Sequence, residues 1–304
     1  MKWKGREEST NVEDRRGSGG ISMGGKGALG GGLGIIVLIV YLLFGGDLGQ
    51  IINQPEFTDT YNQPSYQQTA EEAELVDFVS VVLADTETLW NELLANENMD
   101  YQEPVLVLYS GYVQSACGTT GSSTGPFYCP GDSKVYIDLS FFQEMQAELG
   151  ISGDFAIAYV IAHEVGHHVQ NQLGIMDQIQ ELQTSLSEVE YNEISVRLEL
   201  QADYLAGVWA HYVAELDLLE QGDIEEALNA ASAIGDDRLQ KQTQGYVVPD
   251  SFTHGTSAQR VKWFTMGYEE GDLDLWDTFS MPYENLSLIV YMNIDFSLFS
   301  VTQQ

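Results

Sequence analysis

The stretch DFAIAYVIAHEVGHHVQNQ, residues 154–172, places three histidines and a glutamate at the end of a long apolar run. The apolar run, which ends at Gly174, predicts a buried helix over about 154–173, and Ser152 and Asp154 could cap its N-terminus. Polar side chains in a buried helix are costly unless they have partners. The histidines therefore indicate a shared function.

His163, Glu164 and His167 form an H-E-x-x-H pattern in this helix. Residues four apart lie about 40° apart around a helix axis, so both imidazoles project from one face and can bind one cation. Glu164 lies about 100° from His163 and can approach a water on the metal as a general base. His168 points away from this face, and we expect a structural role for it, with support of a ligand histidine as the alternative. The alternative is an amphipathic surface helix, which the preceding apolar run disfavours.

A third protein ligand is expected in RLELQADYLAG, residues 197–207, where Glu199 and Asp203 again share a helix face. Glu199 can complete a metal site that keeps one position open for water. Asp203 can accept a hydrogen bond from Nδ1 of a ligand histidine and so fix its tautomer. The alternative is a pair of ordinary solvated carboxylates, which the apolar residues around them disfavour.

Hydrophobic periodicity predicts a mostly helical domain with a small β element. PVLVLYS (104–110) and SKVYIDLSF (133–141) are typical of strands. Further helices are predicted at about 71–96, 142–149, 176–188, 190–216, 223–234 and 256–269.

An uncharged apolar stretch runs from Gly27 to Gly46 and is long enough to cross a bilayer core of about 30 Å. It predicts one uncleaved transmembrane helix, with a cleaved signal peptide or a buried soluble helix as alternatives. The basic residues before it predict a cytoplasmic N-terminus, which leaves the acidic remainder of the chain outside the cytoplasm.

Cys117 and Cys129, the two cysteines, bracket a loop rich in Gly, Ser and Thr. In an extracytoplasmic domain this arrangement favours a disulfide over two unpaired thiols. The chain has no C-x-x-C pair, so the cysteines are poor candidates for metal ligands.

The net charge of the chain is −34, and half of its twelve Lys and Arg residues lie in the first 26 positions. Nucleic acids and anionic lipid surfaces would both repel so acidic a body. We therefore expect no nucleic-acid partner.

Four segments occur in order: GPFYCPGDSKVYIDLSFF, HEVGHHVQ, RLELQADYLAG and FTHGTSAQR. Together they resemble the bacterial family of neutral zinc metallopeptidases, over about residues 70–280 and the Gly-rich N-terminal segment. The resemblance implies a zincin-like α+β fold that uses Zn²⁺. It also implies that His163, His167 and Glu199 bind the zinc and that Glu164 is the base.

The H-E-x-x-H and E-x-x-x-D patterns are also similar to those of membrane-bound endopeptidases of the gluzincin type. His254 resembles a histidine that follows the zinc motifs in those enzymes, which implies a role in stabilising the oxyanion, with a loop or capping role as the alternative. Arg260 is expected to be a structural ion-pair partner rather than a binder of substrate carboxylates. The resemblance further implies that KVYID (134–138) is an edge strand that binds an extended peptide.

These features predict a membrane-anchored zinc endopeptidase that hydrolyses protein or peptide substrates. The alternative is a non-catalytic extracytoplasmic binding or chaperone module with a structural or vestigial zinc site. The sequence does not predict an oligomeric state. The chain is expected to divide into a cytoplasmic tail (1–26), a transmembrane anchor (27–46), a flexible linker (47–70), a metallopeptidase domain (71–280) and a C-terminal tail of unassigned role (281–304).

Overall fold

Helices make up most of the fold, as the sequence predicted, and a small sheet lies beside them. The computed structural model describes residues 1–17, 68–183 and 185–287. The α-helices are α1 (Ala70–Asn96), α2 (Ser140–Glu144), α3 (Asp154–Gln172), α4 (Ile175–Gln183), α5 (Glu188–Glu215), α6 (Asp223–Ala233), α7 (Asp236–Gln244) and α8 (Ser257–Glu270). A π-helical turn (Met145–Leu149) extends α2, and short 3-10 turns occur at Pro249–Ser251 and Tyr283–Ser287.

The sheet contains four strands in the order β1-β2-β6-β5. A separate two-stranded hairpin lies between β2 and β5 in the chain. The strands are β1 (Val12–Asp14), β2 (Val105–Tyr109), β3 (Tyr112–Ser115), β4 (Gly118–Gly121), β5 (Phe127–Cys129) and β6 (Lys134–Asp138). Strands β1, β2 and β6 are parallel, whereas β5 is antiparallel to β6.

The prediction that KVYID is an edge strand is wrong. It forms β6, which pairs with β2 along its whole length and with β5 over residues 134–136, so it is an internal strand of the sheet. Strand β5 is the edge strand on this side of the sheet. The predicted disulfide is confirmed: Cys117, just before β4, is bonded to Cys129 of β5, with 5.9 Å between the Cα atoms.

Helix α3 is the centre of the helical layer. Most of its side chains are buried, and most of these are apolar. It packs against α5, α6 and α1 and also contacts β5 and β6. Phe155 at its start stacks on Trp209 of α5, and both rings are fully buried. Burial of so much apolar surface is the main stabilising term for a helix in this position.

The N-terminus of α3 differs from the sequence prediction. Gly153 is the N-cap residue and provides no side-chain cap, while Ser152 and Asp154 do not cap the helix. The carboxylate of Glu226 on α6 accepts a hydrogen bond from the Phe155 amide at 3.0 Å instead. A Cβ at Gly153 would lie 1.9 Å from the Glu226 carboxyl carbon, so glycine makes room for this replacement cap.

Helices α5 and α8 are in direct backbone contact. A Cβ at Gly207 of α5 would lie 2.1 Å from the carbonyl oxygen of Phe264, and one at Gly267 of α8 would lie 2.0 Å from that of Tyr204. Real Cβ atoms do not approach oxygen so closely, so only glycine allows this crossing. The contact brings the first turns of α8 beside the middle of α5.

Residues 1–17 pack onto the same structural unit as residues 70–287. Strand β1 pairs with β2, and the Arg6 guanidinium donates two hydrogen bonds, of 2.7 and 2.6 Å, to the buried carboxylate of Asp85 on α1. The Met1 amino group lies 2.9 Å from Asp154 at the start of α3. The N-terminal segment is therefore part of the fold.

This packing overturns the predicted localisation. A single membrane crossing at 27–46 would separate residues 1–17 from the domain, yet the two share one sheet. The predicted single-pass localisation, with a cytoplasmic N-terminus and the domain on the other side of the membrane, is therefore wrong.

The predicted transmembrane helix, Gly27 to Gly46, lies outside the described residues. Among the residues that the structure does describe, no helix is both long and apolar enough to cross a bilayer. The predicted fold class is therefore wrong in its membrane helix. Most of the predicted linker (47–70) and of the C-terminal tail (281–304) also falls outside the described residues, and these boundaries stay predictions.

We expect Arg6→Ala to lower the free energy of unfolding by about 1–3 kcal/mol, because it leaves the buried Asp85 carboxylate without its charged partner. Urea unfolding followed by circular dichroism measures the effect. The control is Lys4→Ala, which removes a cation from the exposed Lys4–Glu74 pair and should change stability by less than about 0.5 kcal/mol. Equal effects of the two substitutions would contradict the packing of this segment.

Candidate metal centre

The structure brings His163, His167 and Glu199 together. One donor atom from each residue lies within 4.8 Å of the other two. His163 Nε2 is 3.1 Å from Glu199 Oε2, and His167 Nε2 is 3.4 Å from Glu199 Oε1. Both imidazoles project from one face of α3 towards the carboxylate on α5, which is the geometry that the sequence predicted.

Close packing of α3 on α5 makes this convergence possible. A Cβ at Gly166, between the two histidines, would lie 3.1 Å from the carbonyl oxygen of Ala202. The glycine of the H-E-x-G-H segment therefore faces the second helix. Because Ala202 is also small, the backbones approach closely enough for Glu199 to reach both imidazoles.

Asp203 orients His163 through the ring nitrogen that faces away from the converging donors. Its Oδ1 atom lies 2.9 Å from His163 Nδ1 and accepts a hydrogen bond from the Tyr159 hydroxyl at 2.5 Å. A hydrogen bond at Nδ1 leaves Nε2 directed at the converging donors. Tyr159, four residues before His163 on the same helix face, was not recognised from the sequence, although its spacing placed it there.

Arg260, the expected ion-pair partner, neutralises Asp203. Its Nε donates to Asp203 Oδ2 at 2.8 Å and its Nη2 to Oδ1 at 3.0 Å. Burial alone would raise the pKa of Asp203, but the Arg260 and His163 charges outweigh it and hold that pKa below its usual value. The same guanidinium lies 3.9 Å from Glu199, so one buried cation borders both carboxylates.

Gln170 orients His167 in the same way, a role that was not predicted from the sequence. Its side-chain oxygen is 2.8 Å from His167 Nδ1. Its Nε2 donates to the Leu198 carbonyl and to Gln201 on α5, so the amide orientation is fixed by two further contacts. The three-residue spacing from His167 on a helix was the available signal.

Burial and charge act in opposite directions on the converging residues. Burial lowers the pKa of His163, but the Asp203 carboxylate and the hydrogen bond to Glu199 outweigh it and raise this pKa to about 9. For Glu199, burial alone would raise the pKa, yet the two histidines hold this pKa well below its usual value. The donor cluster therefore favours an ionised carboxylate between the imidazoles.

Glu164 is largely buried and lies beside the first histidine. Among the described residues it forms no hydrogen bond or ion pair, unlike Glu199 and Asp203, which are both engaged. Its carboxylate therefore remains available to another group at the site.

His168 stands apart from the cluster, as the sequence predicted. Its Nδ1 lies 3.0 Å from the hydroxyl of Tyr128 on β5, and its Nε2 lies 2.5 Å from the carbonyl oxygen of Gln102. Burial lowers the pKa of His168. The residue joins α3 to the edge strand.

His254 lies in the loop before α8, with nearly half of its side chain exposed. Its Nδ1 is 3.3 Å from Asp236 Oδ1, and Asp236 Oδ2 also accepts its main-chain amide at 2.7 Å. Desolvation lowers the pKa of His254, but the Asp236 hydrogen bond and the Glu199 charge outweigh it and raise the pKa. The Glu199 carboxylate is thus one of the two charges that favour the protonated form of this imidazole.

Two imidazoles and one carboxylate from two packed helices could hold a single metal ion, and this donor set is of the type found in zinc proteins. The chain belongs to the "Putative neutral zinc metallopeptidase" family, whose model matches residues 1–279. Membership in this family implies zinc as the cofactor.

Relatives of the chain occur in distant bacteria. The uncharacterized protein YpfJ of Escherichia coli K12 is 52% identical over 286 residues, which cover 92% of this chain and 99% of YpfJ. The uncharacterized protein Mb2605 of Mycobacterium bovis is 41% identical over 257 residues, covering 79% of this chain and 85% of the relative. No solved structure matches the chain significantly.

The residues of the cluster fit zinc. Nitrogen and carboxylate oxygen are donors that this ion prefers, and each imidazole has its Nδ1 held by an acceptor, as metal-binding histidines usually do. Both cysteines are in the disulfide, so neither competes as a ligand.

We expect Gln170→Ala to weaken zinc binding about ten- to a hundredfold, because His167 loses the acceptor that orients it. Competition with a chromophoric chelator measures the affinity. Gln178→Ala, an exposed glutamine in α4, is the control and should leave the affinity unchanged. An unchanged affinity in Gln170→Ala, with the fold intact, would show that this contact does not support the site.

Proposed function

We propose that the protein is a zinc-dependent endopeptidase. The observation that carries the proposal is the contrast within one cluster: three convergent donors are held by hydrogen bonds, while the adjacent Glu164 has no partner among the described residues. A purely structural site does not need an unengaged carboxylate at its edge. A hydrolytic site does, because a base must accept a proton.

His163, His167 and Glu199 would hold the zinc, and Asp203 and Gln170 would orient the histidines. When bound in such a site, zinc polarises a peptide carbonyl and lowers the pKa of water. Because the two histidines, Asp203 and Gln170 are almost entirely buried and only 16% of the Glu199 side chain is exposed, solvent screens the field at the site only weakly.

Glu164 would act as the general base. It follows a ligand histidine directly and lies on the neighbouring part of the helix surface, so its carboxylate can reach a water that attacks the peptide carbonyl. It would accept the proton of this water and then deliver it to the departing amine. Its lack of a competing hydrogen bond favours this role.

His254 would stabilise the negative charge that develops on the carbonyl oxygen. Asp236 anchors both its ring and its main chain, and its raised pKa favours the protonated, hydrogen-bond-donating form. A fixed donor with partial solvent access suits the stabilisation of an oxyanion at an open site.

The alternative is a non-catalytic binding or chaperone module with a structural or vestigial zinc site. Structural zinc sites are normally closed by four protein ligands, whereas three donors converge among the described residues. The unpaired Glu164 also disfavours this alternative.

We expect Glu164→Gln to lower kcat for peptide hydrolysis by roughly 10²- to 10⁴-fold while zinc remains bound, because only the proton acceptor is lost. His163→Ala should lose both zinc and activity. Cleavage of casein and of quenched fluorescent peptides, paired with zinc analysis, separates the two effects.

Glu181→Gln, which neutralises an exposed carboxylate on α4, is the control and should behave as the parent protein does. Full activity in Glu164→Gln would refute its assignment as the base. Loss of zinc from that variant would indicate that Glu164 supports the metal site instead.

We expect His254→Ala to lower kcat about 100-fold with little change in KM, because the interaction forms only as charge develops on the oxygen. Steady-state kinetics on one peptide give both constants. His211→Ala is the matched control. His211 lies near the C-terminal end of α5, where its ring contacts the Tyr268 carbonyl of α8, so this substitution should leave kcat unchanged. A rise in KM alone would assign His254 to substrate binding.

A further inference from the structure

A cleft of about 170 Å³ opens between the start of α5, the loop that precedes α8, and the turn near residue 283. We call it the α5–α8 cleft. The lining residues that matter here are Val189, Asn192, Glu193, Asp250, Phe252 and Tyr283.

The α5–α8 cleft lies close to the candidate metal centre. Asn192 and Glu199 are seven residues apart on α5, so they share one face and are separated by about 10 Å along the helix. The loop between Phe252 and α8 also carries His254. An extended peptide advances about 3.3 Å per residue, so this distance corresponds to about three substrate residues.

The lining combines apolar walls with negative charge. Val189, Phe252 and Tyr283 supply apolar surface, while Glu193 and Asp250 supply carboxylates. Among the described residues, neither carboxylate is in an ion pair or accepts a side-chain hydrogen bond. Arg197, one helical turn from Glu193 on α5, is not among the lining residues. Its guanidinium donates to the Thr278 and Met281 carbonyls and lies 5.7 Å from the Tyr283 ring centroid. Burial lowers the pKa of Arg197, and the Glu193 charge opposes this effect.

The rim of the cleft exposes apolar side chains. Eight large apolar side chains are exposed in the part of the chain that the structure describes, and Val189 together with Tyr246, Val247 and Val248 accounts for half of them. The last three immediately precede Pro249, which lines the cleft. An exposed apolar patch beside a polar pocket is typical of a surface that binds a ligand.

We propose that the α5–α8 cleft is a specificity pocket that binds a lysine or arginine side chain of the peptide substrate, about three residues from the scissile bond. The alkyl part of such a side chain packs on the apolar walls, and its charged end reaches Glu193 and Asp250. The proposal rests on the proposed peptidase function and adds to it a preference for one class of substrate.

The test uses the full-length, zinc-loaded protein and quenched peptides of neutral sequence. Each peptide carries a single lysine, arginine, glutamate or norleucine at one of the four positions on either side of the scissile bond. Norleucine matches the lysine stem without its charge. We expect lysine and arginine to raise kcat/KM about tenfold over norleucine at one position near the third residue, and glutamate to lower it.

Glu193→Gln and Asp250→Asn should each reduce the lysine-to-norleucine ratio, and the double variant should bring it close to one. Glu188→Gln is the matched control, because it removes one exposed charge from the same helix outside the cleft and should keep the parent ratio. A ratio defined within each variant is insensitive to changes in overall activity.

Fluorescence anisotropy of labelled lysine and norleucine peptides on Glu164→Gln measures binding without turnover. Hydrolysis of no peptide by the parent would defeat the proposed function, while Glu193-dependent binding of the lysine peptide would still support the cleft. Hydrolysis without a preference for lysine or arginine would overturn the cleft proposal alone.

Discussion

The candidate site depends on the pairing of one fully buried carboxylate, that of Asp203. A buried charge is strongly unfavourable unless it is neutralised and its lone pairs are used. Arg260 contributes two hydrogen bonds, and Tyr159 and His163 direct their polar atoms at the same oxygen. These partners come from α3 and α8, whereas Asp203 comes from α5. Satisfying one charge therefore fixes three helices and the direction of an imidazole together.

Glycines provide the approach distances that this pairing requires. Gly166 lets α3 contact α5 between the two histidines, and Gly207 and Gly267 let α5 contact α8. Each replaces side-chain volume with backbone contact, so the helices cannot slide without a clash. The polar network and the close crossings consequently support each other: the glycines set the distance, and the charges set the register.

The sequence predicted the parts of this molecule that depend on local periodicity. The two helices, the shared face of His163 and His167, and the disulfide follow from spacing that is visible in the chain. The contacts that Gln170 makes with α5 and the pairing of Arg260 with Asp203 depend on tertiary structure. The membrane topology was predicted from composition, but the position of residues 1–17 is set by distant partners such as Asp85. Strand β1 has only three residues and no alternation of apolar and polar side chains to reveal it.

Strand β1 also determines the order in which the strands of the sheet can pair during folding. Val12 pairs with Leu106, so roughly ninety residues must be available before the first parallel pairing can form. Strand β2 can pair earlier with β6, because the residues between them are few and include a local hairpin. Contacts of long sequence separation form late and slowly. Until β1 is in place, one side of β2 is an open strand edge, so the nascent chain is most vulnerable to intermolecular pairing at residues 105–109.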